Sequence, residues 1–492
     1  NGDETLIACD KLSAEDGADD NTRLAVRVSR NVFFDSLAET TRLLQKASLQ
    51  ALAAIRPERE RIQRLVAEFA AKYGGIEFRP YPISVEGLKR AGYEVERAHR
   101  RDAALLRRQL AQEPALARLT LHGLPRFADR TGLDPIKESA KAERFFANET
   151  ANLILARILL IRFLEDHGFF DTETPDGPAR RRYLCNGGIV AFQGMRAYFD
   201  HSYTRLLEEA YRRGGHFYSA AFDETEMDWV FALSDPNLSQ TIEWAMFRMA
   251  RFDFRTARGD LMTGIYDRFL DRKQRKEQGE YYTPPSIARY ILDQINPPEG
   301  AEVLDPACGS GTFLIEQYRR IVGEDADRGL ATYEQARAEI ERLFGNDLNP
   351  FSAVLTQIQL LWHLLTFGPE LRTKGVPDIR IAERANSLSP GALFDPSQSR
   401  FGEIDRSGYD AVVGNPPYIR PERSQELETQ AREYFATARE RNGRVFDGIM
   451  VSGRNAYSLF IYRALDYWCR QPEQGSPGKL GFIIPLAFCG SQ

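Results

Sequence analysis

The sequence has few of the residues that build disulfide frameworks and metal sites. Its 492 residues include five cysteines, scattered without a Cys-x-x-Cys pair, and six histidines without a spacing such as His-Glu-x-x-His. The sequence therefore predicts neither a disulfide framework nor a metal site. Unpaired cysteines are typical of a reducing compartment, and we expect a cytoplasmic protein.

The sequence also lacks a long apolar run. The best candidate for a membrane span, residues 152–164, is interrupted by Arg157 and Arg162. A helix that crosses a membrane needs about 20 apolar residues. The chain opens at Asn1 without a basic-then-apolar leader. We expect a globular protein with no membrane partner.

An excess of positive charge is absent as well. The formal net charge of −5 excludes a protein that coats nucleic acid by bulk electrostatics, because phosphate binding needs clustered Lys and Arg. Basic clusters do occur at 97–108, 272–276 and 432–444. Each is also explained by a solvated helix face that nearby Glu residues balance. Only the position of a cluster relative to a functional site can favour one interpretation.

The chain has two halves of different pattern. Residues 33–270 are rich in Ala, Leu, Arg and Glu and predict a mostly α-helical domain, for which we take the bounds 1–255. Residues 1–22 are acidic and fit a β segment, a flexible arm or sequence joined across a gap. In the second half, 256–492, short apolar strands alternate with helices, which predicts a Rossmann-like α/β sheet with its strand tips facing one site.

A glycine-rich segment, residues 305–312, lies between a predicted strand and a predicted helix; we call it the glycine loop. It lacks the Lys of an ATP-binding P-loop and the third glycine of the dinucleotide fingerprint. Asp305 places a carboxylate where a ligand's cationic amino group could bind, a poor choice beside pyrophosphate. The loop therefore favours S-adenosylmethionine over NAD.

Asp347 follows the next predicted strand. An acidic residue at this place of a doubly wound fold accepts hydrogen bonds from ribose hydroxyls. The alternative is an exposed turn residue before Asn349-Pro350. A helix at 333–342 explains the long connection from the glycine loop to Asp347.

The segment Asn-Pro-Pro-Tyr at 415–418 carries the most specific chemistry. An amine on an aromatic ring is a weak nucleophile, and two acceptors for its N–H groups draw it towards a reactive tetrahedral geometry. The Asn415 side-chain oxygen and the Pro416 carbonyl can be those acceptors, and the two prolines stiffen the loop. Tyr418 offers a flat face to a base that has left its stack. A proline-rich turn without function is the alternative.

In this order the motifs resemble those of gamma-class N6-adenine DNA methyltransferases, particularly the large methylases of type IIG restriction systems and of the BREX and DISARM phage-defence systems. The resemblance covers about residues 260–488. The motifs are Gln-Gly-Glu-Tyr-Tyr-Thr-Pro-Pro at 278–285, the glycine loop, Asn-Asp-Leu-Asn-Pro at 346–350, Asn-Ser-Leu at 386–388, Asn-Pro-Pro-Tyr at 415–418, Asn-Ala-Tyr at 455–457 and Gly-Phe-Ile-Ile-Pro at 481–485.

The resemblance implies a class I methyltransferase sheet and a site-specific DNA methyltransferase in a restriction-modification or phage-defence system, with possible protein partners. Its cofactor would be S-adenosylmethionine and its substrate an adenine flipped out of double-stranded DNA. Asn415, Pro416 and Tyr418 would act on that adenine, and Pro417 would lie near the sulfonium. The implied cofactor contacts are Tyr282, Thr283, Asp305, Ala307, Gly309, Gly311, Asp347, Leu348, Asn386 and Pro417. Thr283 is also expected to cap a helix that begins at Pro284.

The same resemblance leads us to expect two absences. Relatives continue past the strand near Pro485 into a closing β-hairpin and a target-recognition domain, which we expect to be missing here. Many relatives carry Asp where this chain has Asn455. Because it follows the reacting loop, the third basic cluster is the preferred DNA contact. The predicted DNA contacts are Arg420, just after the reacting loop, and Arg439, Arg441 and Arg444 of this cluster.

Several rival functions remain at this point. Cys308 raises the possibility of a cytosine-C5 methylase, which uses a Cys nucleophile. That nucleophile lies in a different loop, whereas Cys308 lies inside the glycine loop. A methyltransferase acting on a glutamine or an RNA amine is a second possibility. A restriction enzyme with a nuclease in the helical half is a third possibility. That half lacks the Pro-Asp…Glu-x-Lys arrangement of such nucleases, since the segment 138–141 has one residue too many between its Glu and its Lys. A sensor subunit that binds cofactor and DNA, with catalysis dependent on a partner, is the last alternative.

Overall fold

A computed structural model of the protein shows how these segments fold. It describes residues 5–10, 24–73, 93–130, 137–170, 172–174, 177–179, 184, 202–222, 225–233, 235–254, 283–323, 332–365, 367–383, 387–388, 401–418 and 456–485. In these ranges no helix is long and apolar enough to cross a membrane.

The first half is mostly helical, as its residue pattern predicts. Its α-helices are α1 Arg30–Ala54, α2 Arg56–Lys72, α3 Tyr93–Leu110, α4 Pro114–Arg118, α5 Leu124–Arg130, α6 Ser139–Asp166, α7 Tyr203–Phe217, α8 Trp229–Ala232 and α9 Pro236–Ala250. A π-helix, Leu119–Gly123, and two 3₁₀ helices, Ser219–Ala221 and Glu226–Asp228, complete its helical elements in the described ranges.

Short strands accompany these helices. They are β1 Thr5–Asp10, β2 Leu24–Ser29, β3 Thr172–Thr174, β4 Gly177–Ala179 and β5 Phe252–Asp253. β1 pairs antiparallel with both β2 and β5, and β3 pairs antiparallel with β4. Of the three alternatives for residues 1–22, the structure shows a β segment over part of that range.

The two arginines that interrupt the apolar stretch of α6 are buried. Arg157 donates from Nε to the Ala221 carbonyl at 2.9 Å, and its guanidinium lies over the Tyr211 ring. Arg162 forms ion pairs with Glu165 at 2.7 Å and Asp166 at 2.8 Å, and all three side chains have no exposed surface. A buried charge is tolerated only when it is paired and hydrogen-bonded, so these contacts explain charged residues in an apolar helix.

Among its described residues, the second half contains a parallel sheet of five strands. They are β6 Val303–Asp305, β7 Leu343–Asp347, β8 Arg380–Glu383, β9 Ala411–Gly414 and β10 Lys479–Phe482. Their order in the sheet is β8-β7-β6-β9-β10. In chain order this is third, second, first, fourth and fifth, the doubly wound arrangement. The predicted Rossmann-like α/β fold preceded by a mostly helical region is confirmed.

Helices connect and cover these strands. They are α10 Pro285–Ile295, α11 Thr312–Val322, α12 Tyr333–Ile340, α13 Pro350–Leu365, α14 Gly368–Lys374, α15 Phe401–Ile404 and α16 Ala456–Arg463. A π-helix, Ala464–Trp468, and a 3₁₀ helix, Pro472–Gln474, precede β10. α12 is the extra helix expected before β7, and Thr332 and Gln335 form its capping box.

The sheet is the centre of one hydrophobic core. Leu304 of β6, Phe344 of β7 and Val412 of β9 are each at most 1% exposed, and they pack in one cluster with Trp468. Strands buried on both faces read as continuous apolar runs, which is why the sequence pattern located them.

The chain divides into two compact units. One contains residues 1–40, 154–223 and 245–492, and the other contains residues 41–153 and 224–244. This division falls within the helical region, because its residues 1–40 and 154–223 belong to the same unit as the sheet. The boundary between a helical domain at 1–255 and an α/β domain at 256–492 stays a prediction.

Candidate active site

Two neighbouring strand tips bring the key loops together. β6 and β9 are adjacent and parallel, although β7, β8 and three crossovers separate them along the chain. The connections from β6 run towards β8, and those from β9 run towards β10. This change of direction is the topological switch point, where ligands bind in open α/β sheets. The glycine loop follows β6, and the Asn-Pro-Pro-Tyr loop follows β9.

The glycine loop is held by backbone hydrogen bonds. Cys308 N–H donates to the Asn346 carbonyl at 3.0 Å, and Gly311 N–H donates to the Cys308 carbonyl at 2.8 Å. Gly309 and Gly311 have φ of +54° and +80°, which glycine adopts at low cost. A Cβ on Gly309 would meet nothing within 4 Å. That position therefore leaves open space where a ligand can approach the backbone.

Asp305 is the buried carboxylate at the start of this loop. It is 1% exposed, and its Oδ1 accepts from Ala307 N–H at 3.1 Å. The pKa of Asp305 is raised to about 8, because burial, and to a smaller extent the Asp347 carboxylate, outweigh the opposing hydrogen bond from Ala307 N–H. A cationic group placed here would favour ionisation of the carboxyl.

Asp347, at the tip of β7, links two loops through its carboxylate. Its Oδ2 accepts from Gly309 N–H at 2.8 Å, and its Oδ1 accepts from Asn349 N–H at 2.8 Å. A carboxylate oxygen can accept more than one hydrogen bond, so this side chain is chemically suited to ligand hydroxyls. Asp347 and the adjoining Leu348 are half-buried. The alternative of an exposed turn residue does not describe Asp347, because it is tied to the glycine loop.

The Asn-Pro-Pro-Tyr loop is held mainly through side chains. Asn415 Nδ2 donates to Thr283 Oγ1 at 3.2 Å. The Tyr418 hydroxyl donates to Asn415 Oδ1 at 2.6 Å. The same hydroxyl lies 3.1 Å from the Ile483 carbonyl, a second acceptor for its single proton. The Tyr418 ring meets Tyr457 edge to face at 5.9 Å. Asn415 therefore has a fixed amide, and Tyr418 a fixed ring.

The tip of β9 touches the glycine loop directly. Gly414 has φ of +150°, and a Cβ at this position would lie 2.7 Å from Asp305 Oδ1. Any larger residue would therefore displace the carboxylate. Pro416 is buried, and Pro417 is half-buried. A group bound at Asp305 is consequently close to the loop that carries Asn415.

One detail of the predicted site is wrong. Thr283 does not cap a helix beginning at Pro284, because α10 begins at Pro285 with Pro284 as its N-cap residue and without a side-chain cap. The buried Thr283 hydroxyl instead accepts from Asn415. The predicted contact of Thr283 with the cofactor stays a prediction.

Cys308 is unsuited to nucleophilic catalysis. Its side chain is buried, and burial together with Asp347 and Asp305 raises the pKa of the thiol well above its ordinary value. The thiolate is the reactive form of cysteine. The structure therefore favours a packing role for Cys308.

Several predicted residues lie outside the described part of the chain. They are Tyr282 and Asn386 among the cofactor contacts, Arg420, Arg439, Arg441 and Arg444 among the DNA contacts, and Asn455. Their proposed roles stay predictions.

The structure gives contacts to four residues to which the motif analysis assigned no role. Asn346 donates to Ser387 at 2.6 Å, and Ser387 donates to the Pro306 carbonyl at 2.5 Å, so a polar chain reaches the glycine loop. Thr356 and Gln359 of α13 donate to the same loop. The available signal was polar residues within the apolar run of α13, since buried polar groups need partners.

The residues at this edge fit S-adenosylmethionine. Asp305 is a buried carboxylate that a cationic amino group would complement, Gly309 leaves room beside the backbone, and Asp347 can accept from hydroxyls. We call the strand tips that carry Asp305, Gly309 and Asp347 the cofactor edge. The fold and this edge together define an α/β protein with a cofactor site of the methyltransferase type.

Comparison with known families agrees. Residues 257–445 match the model of the N-6 DNA Methylase family, a segment that contains both loops. This match confirms the resemblance to N6-adenine DNA methyltransferases, and S-adenosylmethionine is the methyl donor that it implies.

Curated relatives match over parts of their length. The chain is 28% identical over 256 residues to "Adenine-specific methyltransferase PglX" of Streptomyces coelicolor, covering 44% of this chain and 20% of that protein. It is 36% identical over 105 residues to "Type I restriction enzyme MjaVII methylase subunit" of Methanocaldococcus jannaschii, covering 21% of this chain and 16% of that protein. The chain thus spans about a fifth of the length of these relatives.

Solved structures give weaker similarity. The type IIG restriction endonuclease BpuSI is 16% identical with a TM-score of 0.36, covering 79% of this chain and 37% of that one. The Type ISP restriction-modification enzyme LlaGI is 16% identical with a TM-score of 0.38, covering 78% and 33%. At these TM-scores the likeness adds nothing to the assignment of the site.

Proposed function

We propose that this protein transfers a methyl group from S-adenosylmethionine to the N6 amine of an adenine flipped out of double-stranded DNA, in a restriction-modification or phage-defence system. The observation that carries the proposal is the contact between Gly414 and Asp305, which places the Asn-Pro-Pro-Tyr loop against the glycine loop. The family match and the curated relatives support adenine as the target base.

The cofactor edge binds and orients the methyl donor. Asp305 would hold its cationic amino group, the backbone at Ala307 and Gly309 would contact it, and Asp347 would accept from its ribose hydroxyls. When bound, the donor supplies an electrophilic methyl group on a sulfonium. Burial of Asp305 excludes water from this ion pair and so strengthens it.

The Asn-Pro-Pro-Tyr loop activates the target amine. Asn415 Oδ1 accepts one N–H of the amine, and the Pro416 carbonyl accepts the other. These hydrogen bonds would favour a tetrahedral nitrogen, whose lone pair is then available to the methyl group that S-adenosylmethionine supplies. Pro416 lacks an N–H and has a fixed φ, so its carbonyl is held without a competing local donor. The extra proton on nitrogen leaves after transfer.

Tyr418 of this loop and Tyr457 of α16 form an aromatic pair that receives the base. Tyr418 and Tyr457 are fixed edge to face, so the Tyr418 ring is a rigid surface for stacking. A base must leave the duplex before its exocyclic amine can be reached, which is the reason for proposing base flipping.

The first prediction concerns Asn415. In the complete gene product, Asn415→Ala should lower the rate of methyl transfer on the order of 100-fold or more, because an amide acceptor aligned with the transition state is lost. Cofactor affinity should change little. Transfer of labelled methyl to duplex DNA, nucleoside mass spectrometry and calorimetric titration measure these quantities.

Asn415→Asp is the matched control. It retains the acceptor oxygen but removes the donor to Thr283, so we expect it to retain more activity than the alanine variant. Label recovered as N6-methyladenine supports the proposal. Label recovered on cytosine, RNA or protein, or an alanine variant as active as the wild type, would contradict it.

A further inference from the structure

Helix α13 carries a set of polar side chains in an otherwise apolar core. Thr356, Gln357 and Gln359 are 0%, 2% and 4% exposed. Burying an amide or hydroxyl is unfavourable unless it forms a hydrogen bond, so each side chain needs a partner. Gln357 donates from Nε2 to the Ile381 carbonyl at 3.0 Å, on the backbone of β8.

The other two side chains reach the glycine loop. Thr356 Oγ1 donates to the Gly309 carbonyl at 2.7 Å, and Gln359 Nε2 donates to the Ser310 carbonyl at 2.7 Å. Two successive carbonyls of the loop are thus turned towards α13. Because a trans peptide unit is planar, the N–H of Ser310 then points away from the helix.

Packing at Gly311 strengthens this attachment. A Cβ on Gly311 would lie 2.6 Å from Thr356 Cγ2, so the helix and the loop backbone are in close contact. Thr356 therefore holds the loop through both its hydroxyl and its methyl group.

We propose that Thr356 and Gln359 are positioning residues that hold the glycine loop in its cofactor-binding shape before the cofactor arrives. The inference rests on the proposed function for the identity of the ligand. A loop held in its bound conformation pays less ordering entropy on binding and so gains affinity. The same shape directs Gly309 N–H to Asp347 Oδ2, which links the two sides of the predicted cofactor site.

The test compares buried residues of one helix. Thr356→Val and Gln359→Leu remove a donor to the loop, whereas Gln357→Leu removes a donor to β8 and is the matched control. We expect all three to lower the melting temperature. Only the first two should weaken S-adenosylmethionine binding, by about 2- to 10-fold, the range for loss of one hydrogen bond. Thr356→Ser, which keeps the hydroxyl, should bind more tightly than Thr356→Val.

Hydrogen exchange of the loop amides gives a second measurement, which needs no cofactor. Amides at 309–311 should exchange faster in Thr356→Val and Gln359→Leu than in Gln357→Leu. Equal exchange and equal affinity in all three variants would overturn the positioning role. Failure of the wild type to bind S-adenosylmethionine would instead overturn the proposed function, while the exchange comparison would still decide whether these residues hold the loop.

Discussion

The glycine loop and the Asn-Pro-Pro-Tyr loop occupy neighbouring strand tips but are held by different means. In the glycine loop, backbone carbonyls at Gly309 and Ser310 are bound to buried side chains of α13. In the Asn-Pro-Pro-Tyr loop, the Asn415 side chain donates to Thr283 and accepts from the Tyr418 hydroxyl. The first loop is fixed by the core, whereas the second is fixed by groups that the substrate would contact.

This difference separates binding from chemistry. A loop anchored through its Gly309 and Ser310 carbonyls does not use the Asp305 carboxylate to attach itself to α13, so its anchoring contacts need not change when a ligand binds. A loop anchored through Asn415 must share that amide with the target amine, so its hydrogen bonds rearrange when the base enters. We therefore expect changes in the glycine loop to act on cofactor affinity and changes in the other loop to act on the rate of transfer.

After the loss of transfer in Asn415→Ala, the largest effect on this comparison is expected from Asp305→Asn. It should weaken cofactor binding about 10- to 100-fold, since a hydrogen bond to a charged group contributes roughly 1.5–3 kcal/mol. In the free protein the raised pKa of about 8 keeps Asp305 protonated at lower pH. Binding of a cation favours the ionised form, so the wild type should release a proton at about pH 6.5 and bind more tightly as the pH rises towards 8.

Calorimetry in two buffers of different ionisation enthalpy measures this proton release, and the asparagine variant should show none. Asp410→Asn is the control, because Asp410 accepts from Glu302 N–H at 2.9 Å, at the beginning of β6. It should lower stability without changing affinity. Equal proton release by wild type and Asp305→Asn would assign the titration to another group.

A smaller effect is expected from Tyr418→Phe. The ring remains, but Asn415 Oδ1 loses its 2.6 Å partner, so the amide is less well oriented. The rate of transfer should fall about 2- to 10-fold with cofactor affinity unchanged, in line with one neutral hydrogen bond. Tyr467→Phe is the control, since its hydroxyl donates to the Asp405 carbonyl at 3.0 Å. A change in cofactor affinity with an unchanged rate would break the proposed separation of the loops.

The smallest effect is expected from Cys308→Ala. The buried thiol has a pKa raised well above its ordinary value, so it supplies no nucleophile. Methyl transfer should persist, with a loss of stability of roughly 1 kcal/mol from packing. Chemical denaturation and the methyl-transfer assay measure the two effects. Loss of transfer in a stably folded variant would reopen covalent catalysis.

Local patterns predicted much of the fold. β6 and β9 were found as short apolar runs that end in Asp305 and Gly414, and α12 was expected from the spacing before β7. These features depend on neighbouring residues, which a sequence displays directly. The glycine loop was found for the same reason, because its turn requires glycine at Gly309 and Gly311.

Contacts between distant segments were harder to predict. Thr283 was expected to cap a helix, yet its hydroxyl accepts from Asn415, 132 residues away in sequence. Arg162 interrupts an apolar run, and besides its ion pairs with Glu165 and Asp166 on the same helix it donates to the Phe252 carbonyl at 2.9 Å, 90 residues away in sequence.

By itself, the sequence determined the alternation of strands and helices, the turn chemistry of both loops and the type of reaction that Asn415 to Tyr418 would favour. Only the tertiary structure decided that Asp305 faces Gly414 and that Thr356 and Gln359 hold the glycine loop. The physical reason is that strand order and side-chain packing join segments far apart in the chain. Whether a buried hydroxyl or amide finds a partner depends on that packing rather than on its neighbours in sequence.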